Sequence, residues 1–447
     1  MDEIKKQKAI EIVKTLRNNG FTAYLVGGCV RDLLLKREPR DYDIATNALP
    51  DVVQKLFPKT VEVGKQFGVL VVVINGYQFQ VATFRSESDY RDGRHPGRVE
   101  FGNPIADAIR RDFTINGMFY DPIEDKFYDY VGGQEDLKNR VIRAIGNPYE
   151  RFNEDYLRML RAVRFAAELD FRIDETTFKA IQENADKIAN ISAERIRDEL
   201  LKLFLPPHAA RGLELLRESG LLRVILPEIH DMIGCEQSPV YHPEGDVYTH
   251  TLRMLENLPA DASYILVWAV LLHDVGKPRV AAIMPDDEKH FYHHDKVGAE
   301  MAKEILGRLR FTSKEIEDIA TCVHFHMQLK DAAKMRKSTL RRIFSRPTFP
   351  VELELHRLDC IASQRKLDNY EFLKKKMEEF ASSNQPIIPQ PLVKGDDLKQ
   401  IGFTEGKFLG EVLKEIHEKQ LMDEITTREQ AIEYAKKRLQ ESNTLAR

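Results

Sequence analysis

The chain has 447 residues, 43% hydrophobic and 31% charged, an ordinary soluble composition with length for about three domains. Its net charge of −4 is no signature of nucleic-acid binding, yet it leaves room for a local basic groove, because phosphate contacts depend on where Lys and Arg sit. No apolar run approaches the roughly 20 residues that cross a bilayer, and Cys29, Cys235, Cys322 and Cys360 lack the C-x-x-C spacing of a zinc finger or a disulfide framework.

The start, MDEIKKQKAI, mixes acids and bases without an apolar core and is not a secretory signal. A cytoplasmic protein with no membrane partner is therefore expected. Residues 4–19 read as an amphipathic helix with Ile4, Ala9, Ile12, Val13 and Leu16 on one stripe. Tyr24 to Val26 reads as a strand, Gly27-Gly28 as a turn, and a helix opens near Val30. After a basic loop a second strand is expected to carry Asp41 and Asp43. A short helix follows over Asp51–Phe57, then strands over Thr60–Val63, Val69–Ile74 and Tyr77–Phe84, with Asn75-Gly76 supplying a hairpin turn. Ser86–Glu100 reads as a polar, mobile loop. From about residue 148 the pattern is almost entirely helical, and Ser382–Pro391 is the best linker.

Three clusters carry chemistry. Two glycines between a strand and a helix let backbone N–H groups approach an anion. Residues two apart on a strand share a face, so Asp41 and Asp43 pair their carboxylates in the manner that suits Mg²⁺ held together with substrate phosphates. Arg110-Arg111 offers permanently charged donors to a triphosphate, and Asp112 and Asn116 are placed to hydrogen-bond a ribose. In the helix predicted over Asn153–Phe165, Glu154, Asp155, Arg158, Arg161 and Arg164 form one charged stripe. Such a stripe is often only a solvated face, but an aspartate beside an arginine fork can also meet the edge of a nucleobase. The third cluster is His250, His273-Asp274, His294, His326 and Asp359, with His273-Asp274 closing the apolar run Leu266–Leu272. His and Asp in this mixture suit one or two metal ions that activate water for phosphoester cleavage.

Gly27-Gly28-x-Val30-Arg31-Asp32, Asp41-x-Asp43, Arg110 to Asn116, Glu154-Asp155-x-x-Arg158-x-x-Arg161 and Glu194-Arg195-Ile196 occur in an order that resembles the class II tRNA nucleotidyltransferases. These are the CCA-adding enzymes and the bacterial poly(A) polymerases, and the likeness covers about the first 225 residues. The later cluster resembles the HD phosphohydrolase superfamily. The resemblance implies an α+β chain: a polymerase-β-like nucleotidyltransferase head, a small mixed sheet with helices, followed by an all-α neck, HD body and tail. The corresponding boundaries are 1–147, 148–225, 226–385 and 386–447.

The resemblance implies template-independent repair or synthesis of the 3′-terminal CCA of tRNA from CTP and ATP. Asp41 and Asp43 would be catalytic and bind Mg²⁺. Gly28 and Arg31 would contact the triphosphate, Arg111, Asp112 and Asn116 the nucleotide and its ribose, and Asp155 and Arg158 the base, with Arg161 and Arg164 in support. Glu194 and Arg195 would brace the neck. The partner is tRNA, at its 3′ end and acceptor stem, and not DNA. His250, His273, Asp274, His294, His326 and Asp359 would hold a second divalent metal of the Mn, Ni or Fe type, with His293 and His324 competing for the same places. One departure stands out: Gln80 occupies a position where family members often carry Glu. The rival readings are an enzyme that adds only A, to tRNA or as poly(A), and an HD phosphohydrolase whose head merely binds RNA.

Overall fold

The computed structural model describes residues 2–88, 98–239, 242–283, 289–382 and 386–445. The chain divides into two compact units, one of residues 1–230 with 308–310, the other of residues 231–307 with 311–447.

The first unit opens with α1 (Asp2–Asn18), whose Ala9, Ile12, Val13 and Leu16 are fully buried. Ile4, expected on the same stripe, is half exposed, because the apolar face begins only a turn later. Then come β1 (Ala23–Val26), α2 (Gly28–Leu34), β2 (Asp43–Thr46), α3 (Pro50–Leu56), β3 (Thr60–Gly64), β4 (Val69–Ile74) and β5 (Tyr77–Thr83). A small hairpin of β6 (Arg85–Ser88) and β7 (Arg98–Phe101) precedes α4 (Pro104–Ile109), β8 (Phe119–Asp121), β9 (Lys126–Tyr128) and α5 (Gly133–Lys138).

The strands form a seven-stranded mixed sheet in the order β3-β4-β5-β2-β1-β8-β9, antiparallel except where β2 runs parallel to β5. Asn75 and Gly76 both take positive φ, 50° and 83°, the backbone a two-residue hairpin needs to match strand twist. Tyr24, Val26, Ala45, Phe84, Ala108 and Phe119 form a core cluster on the sheet; each large apolar side chain removed from water contributes roughly 1.5–3 kcal/mol. Two expectations are corrected. The polar stretch after Phe84 is not loop throughout: its ends pair as β6 and β7, Arg85 opposite Phe101, and its middle lies outside the described residues. The strand expected to carry both aspartates starts at Asp43, so Asp41 lies two residues ahead of it.

Helices dominate the rest of this unit: α6 (Pro148–Glu154), α7 (Leu157–Leu169), α8 (Glu175–Asn184), α9 (Ala193–Leu203), α10 (Ala209–Glu218), α11 (Leu221–Ile225) and α12 (Pro227–His230), with β10 (Val141–Ile142) beside β11 (Arg172–Ile173). The single helix predicted over Asn153–Phe165 is two. Asp155 adopts extended backbone (φ −156°, ψ 105°) between α6 and α7, and its carboxylate accepts from the Leu157 N–H at 3.1 Å. A short polar side chain that satisfies the backbone locally competes with helix continuation, which is why Asp favours helix starts.

The second unit contains α13 (Val247–Glu256), α14 (Tyr264–Leu272), α15 (Lys277–Val280), a strand pair β12 (Ala282–Ile283) and β13 (Lys289–His290), then α16 (His294–Arg308), α17 (Ser313–Phe325), α18 (Lys337–Phe344), α19 (Phe349–Ala362) and α20 (Asp368–Ser382). α14 is its central helix, with Leu266 to Leu272 all buried. The last piece, α21 (Gly395–Gln400), α22 (Lys407–Leu421) and α23 (Arg428–Leu445), packs around its own cluster of Leu398, Val412, Ile416 and Ala431. Among the described residues, no helix is long and apolar enough to cross a membrane.

Candidate functional site

In the head, β1 ends at Val26, which pairs with Asp43 on β2. The chain then turns at Gly27 with φ 77°, a conformation that costs a side-chain-bearing residue energy. A Cβ built on Gly27 would lie 3.5 Å from Arg111 Nη1, and one on Gly28 would lie 3.6 Å from Arg31 Nη2. Two guanidinium groups thus crowd the glycine turn, beside the strand end that carries Asp43. Burial pushes the Asp43 carboxyl above its usual range; Arg111 opposes this, Asp41 adds to it and Lys5 opposes it. Asp41 has a side chain 80% exposed, and Lys5 from α1 donates to it at 2.7 Å. Gln80 on β5 is exposed, and extending the β2–β5 register by one residue sets it opposite Asp43. An amide therefore stands across from Asp43.

A chain of polar contacts runs outward from this turn. Arg31 is buried and donates to Asp32 Oδ1 at 2.9 Å and to Asn116 Oδ1 at 2.9 Å. Asn116 donates to Asp112 at 3.3 Å, and Asp112 accepts two bonds from Arg161, at 2.9 and 2.7 Å. Burial alone would push the Asp112 carboxyl up, but Arg161 and then Arg158 outweigh it and hold it low. Glu199 on α9 continues the chain, 2.6 Å from Arg164 Nε and 3.4 Å from Arg161 Nη1. Arg31, Arg161 and Arg164 all stack on the Phe165 ring, at 5.3, 5.3 and 3.9 Å. Arg111 and Arg110 share the fully buried Asp107, at 2.8 and 2.6 Å.

Of the other two predicted residues, Asp155 sits at the break between α6 and α7 and Arg158 lies in the first turn of α7. Arg195 on α9 grips Asp155 with two bonds, 3.2 and 2.6 Å. Arg158 donates to Glu154 at 2.5 Å and to the carbonyl oxygens of Arg151 and Arg110. Glu194, expected to brace the neck with Arg195, is exposed; the residue that joins the helices beside Arg195 is Glu199.

In the second unit, α13, the end of α14, the start of α16, the end of α17 and α19 bring His250, His273, Asp274, His294, His326 and Asp359 together, all buried. His273, His294 and His326 each place Nδ1 2.6–2.8 Å from the carbonyl three residues earlier, on Val270, Phe291 and Val323. A carbonyl only accepts, so each Nδ1 carries the hydrogen and each Nε2 is turned into the cluster, where those of His294 and His326 lie 3.2 Å apart, the arrangement that orients metal-binding imidazoles. Asp274 sits between two groups. Its Oδ2 is 3.1 Å from His273 Nε2, and its Oδ1 is 3.4 and 3.6 Å from the Nε2 atoms of His294 and His326. His250 Nε2 is 3.3 Å from Asp359 Oδ1.

These residues fit a divalent metal. The Nε2 atoms of His250 and His273 are buried without a hydrogen bond among the described residues, a cost of about 1–3 kcal/mol each unless a ligand meets them. Separations of 3.1–3.6 Å between ligand atoms match the edges expected when metal–ligand bonds are about 2.1 Å. Burial holds His326 neutral, down to about 4, although Asp274 opposes this. Burial would also lower His250, but Asp359 at its Nε2 and Glu244 at its Nδ1 raise it to about 8; positive charge is favoured between those carboxylates. A metal-coordinating cluster is therefore present. Neither rival histidine joins it: His293 is exposed, and His324 meets Phe325 edge to face.

The sequence reading overlooked Glu244, which accepts from His250 at 2.6 Å and His242 at 2.9 Å. Burial would raise its carboxyl, but the two histidines bring it down to about 2. It also overlooked Lys277, 2.7 Å from Asp274. Lys277 lies three residues after Asp274 in the turn His273-Asp274-Val275-Gly276-Lys277, so one helical turn of spacing was the available signal. Glu244 lies in an irregular segment with no periodic signal, and Glu199, Asp107 and Lys5 likewise look like ordinary helix surface charges.

Residues 23–143 match the Poly A polymerase head domain, 170–233 the probable RNA and SrmB- binding site of polymerase A, and 246–361 the HD domain. A CCA-adding enzyme of a Geobacillus species is 52% identical over 226 residues, covering 50% of this chain and 55% of the relative. That of Bacillus pumilus is 36% identical over 308 residues, 69% of this chain and 71% of the relative. The chain thus spans little more than half of the first relative's length and more than two thirds of the second's. A crystal structure of the Bacillus stearothermophilus CCA-adding enzyme in complex with CTP superposes with a TM-score of 0.74 at 28% identity, over 98% of both chains. The head fold, the domain order and the Bacillus pumilus match together place this chain in the class II CCA-adding enzyme family.

Proposed function

We propose that the chain is an enzyme of the cytoplasm that adds or repairs the 3′-terminal CCA of tRNA, using CTP and ATP without a nucleic-acid template. The observation that carries this reading is the pairing of Asp43 with Val26, the residue that leads into the glycine turn against which the Arg31 and Arg111 guanidinium groups lie. Relatives that bear the name CCA-adding enzyme, one of them seen with CTP, support it. On this reading residues 1–147 are the head, 148–225 the neck, 226–385 the HD body and 386–447 the tail.

Asp41 and Asp43 would hold Mg²⁺, which when bound neutralises phosphate charge and activates the attacking 3′-hydroxyl. The chain's own residues do the rest. Arg111 at Gly27 and Arg31 at Gly28 would meet the triphosphate, each anchored to a carboxylate that fixes its plane. Asp112 and Asn116, already bonded to one another, turn toward the ribose. Asp155 and Arg158 present an acceptor and a donor fork to the base, steadied by Arg195 and Glu154. Arg161 and Arg164, locked through Glu199, keep α7 against α9.

The test is extension of three tRNA ends, at the discriminator base, after C and after CC, with CTP and ATP supplied separately and together. Stepwise addition of C, C and A is expected. Addition of A alone, and only after CC, would establish the A-adding alternative. A second activity is favoured by the orphaned imidazole nitrogens: a phosphohydrolase at the HD cluster using a divalent ion of the Mn, Ni or Fe type.

A further inference from the structure

Beside the HD cluster lies a cavity of about 540 Å³, lined by the cluster's own His294, by His242 and Lys277 next to it, and by Lys330, Arg365 and Phe291 among others. Its cations differ in how they are engaged. Lys277 is committed to Asp274 at 2.7 Å and Gln237 at 2.6 Å. Arg365 reaches the ring of His242 at 3.3 Å and lies 3.9 Å from Asp359. The ammonium of Lys330 has no hydrogen bond or ion pair among the described residues, although the side chain is half buried. Asn369 pins the backbone beneath it by donating to the Lys330 carbonyl. Burial pulls Lys330 below the ordinary lysine range; Asp359 opposes this, while Arg365 and Lys277 add to it. An ammonium in a cavity with two further cations is stabilised by an anion arriving from outside.

We propose that Lys330 is the anion-recognition residue of this cavity, pairing with a phosphoryl oxygen of a compact phosphate monoester next to the HD cluster. This rests on the reading of that cluster as a metal site. A volume of about 540 Å³ admits a group of mononucleotide size and lies within the range of small-molecule pockets. The lysine is a point charge suited to a phosphoryl oxygen.

The experiment uses the full chain loaded with Mn²⁺, with inorganic phosphate and phenyl phosphate as probes in calorimetric titration, metal content by mass spectrometry and thermal melting in parallel. Lys330→Ala and Lys330→Gln are expected to weaken both probes at least tenfold, while Lys330→Arg stays within about threefold of the parent. Metal content should be unchanged, and the Tm should hold or rise, because an unpaired buried charge has been removed. Probe affinities within twofold of the parent in Ala and Gln variants would overturn the proposal. So would a metal-loaded parent that binds neither probe. A parent chain that retains no Mn²⁺, with His273→Ala indistinguishable from it, would overturn the metal reading itself and this proposal with it.

Discussion

The two polar centres of this protein are built in opposite ways. Around the glycine turn of the head the arginines arrive already paired with carboxylates, some of them shared: Arg31 with Asp32, Arg110 and Arg111 with Asp107, Arg161 with Asp112, and Arg161 and Arg164 with Glu199. One of the two predicted metal-binding aspartates stands in solvent, with Lys5 as its counterion. In the HD cluster the ligand atoms are buried, and the fixed partners are backbone carbonyls that occupy only the outward nitrogens of the imidazoles. An open site with exchangeable ion pairs can receive a large, changing substrate and can discriminate among bases. A buried site with its lone pairs already aimed inward is organised before any ion arrives, because helix-end carbonyls cannot move away as side chains can.

The comparison can be broken or sharpened by experiment. The largest effect is expected from Asp43→Asn, which should slow nucleotide addition about 10³-fold, since metal stabilisation of transition-state charge is worth several kcal/mol. The metal content of the HD cluster should not move; if it falls, the two centres are not separate. Next, His273→Ala should weaken divalent-metal binding by more than the roughly 10–100-fold that loss of an outer partner costs, as read by mass spectrometry after dialysis. Full metal retention would remove His273 from the cluster.

Glu199→Ala tests the charge chain of the head. It leaves Arg161 and Arg164 with only Asp112 and Glu168, so a loss of about 2 kcal/mol is expected in denaturant titration, below the ~3–5 kcal/mol of a fully orphaned buried charge. The smallest effect concerns pH. Burial would raise Asp107, but Arg111 and Arg110 hold it below its ordinary value of 3.8. Its ion pairs therefore contribute fully above about pH 4 and are lost as the pH falls through the lower folded-state value. Asp107→Asn should flatten the fall in stability with acid in that window, and an unchanged slope would show that these pairs do not contribute.

Much of the fold was legible because it is written locally. The Asn75-Gly76 hairpin, the buried run of α14 and the stripe of α1 depend on residues within a few positions of one another. Errors fell where local and tertiary signals compete. Asp155 sits at helical spacing in a charged stripe, yet it ends one helix and starts the next because Arg195, forty residues on, holds its carboxylate while it caps Leu157. Ile4 fits the apolar stripe of α1 but is half exposed, ahead of the buried face that begins at Ala9.

What the amino-acid sequence determined by itself is the inventory and its local posture: a glycine turn after a strand, aspartates two apart, a His273-Asp274 pair closing an apolar helix, and the change from strand to helix near residue 148. Those follow from backbone sterics and from side-chain period, which act over a few residues. Only the tertiary structure decided which charges neutralise which, why Glu199 and Glu244 matter, and why the Lys330 ammonium has no hydrogen bond or ion pair among the described residues. Electrostatic pairing and burial depend on distances between elements far apart in the chain, and no pattern along the sequence encodes them directly.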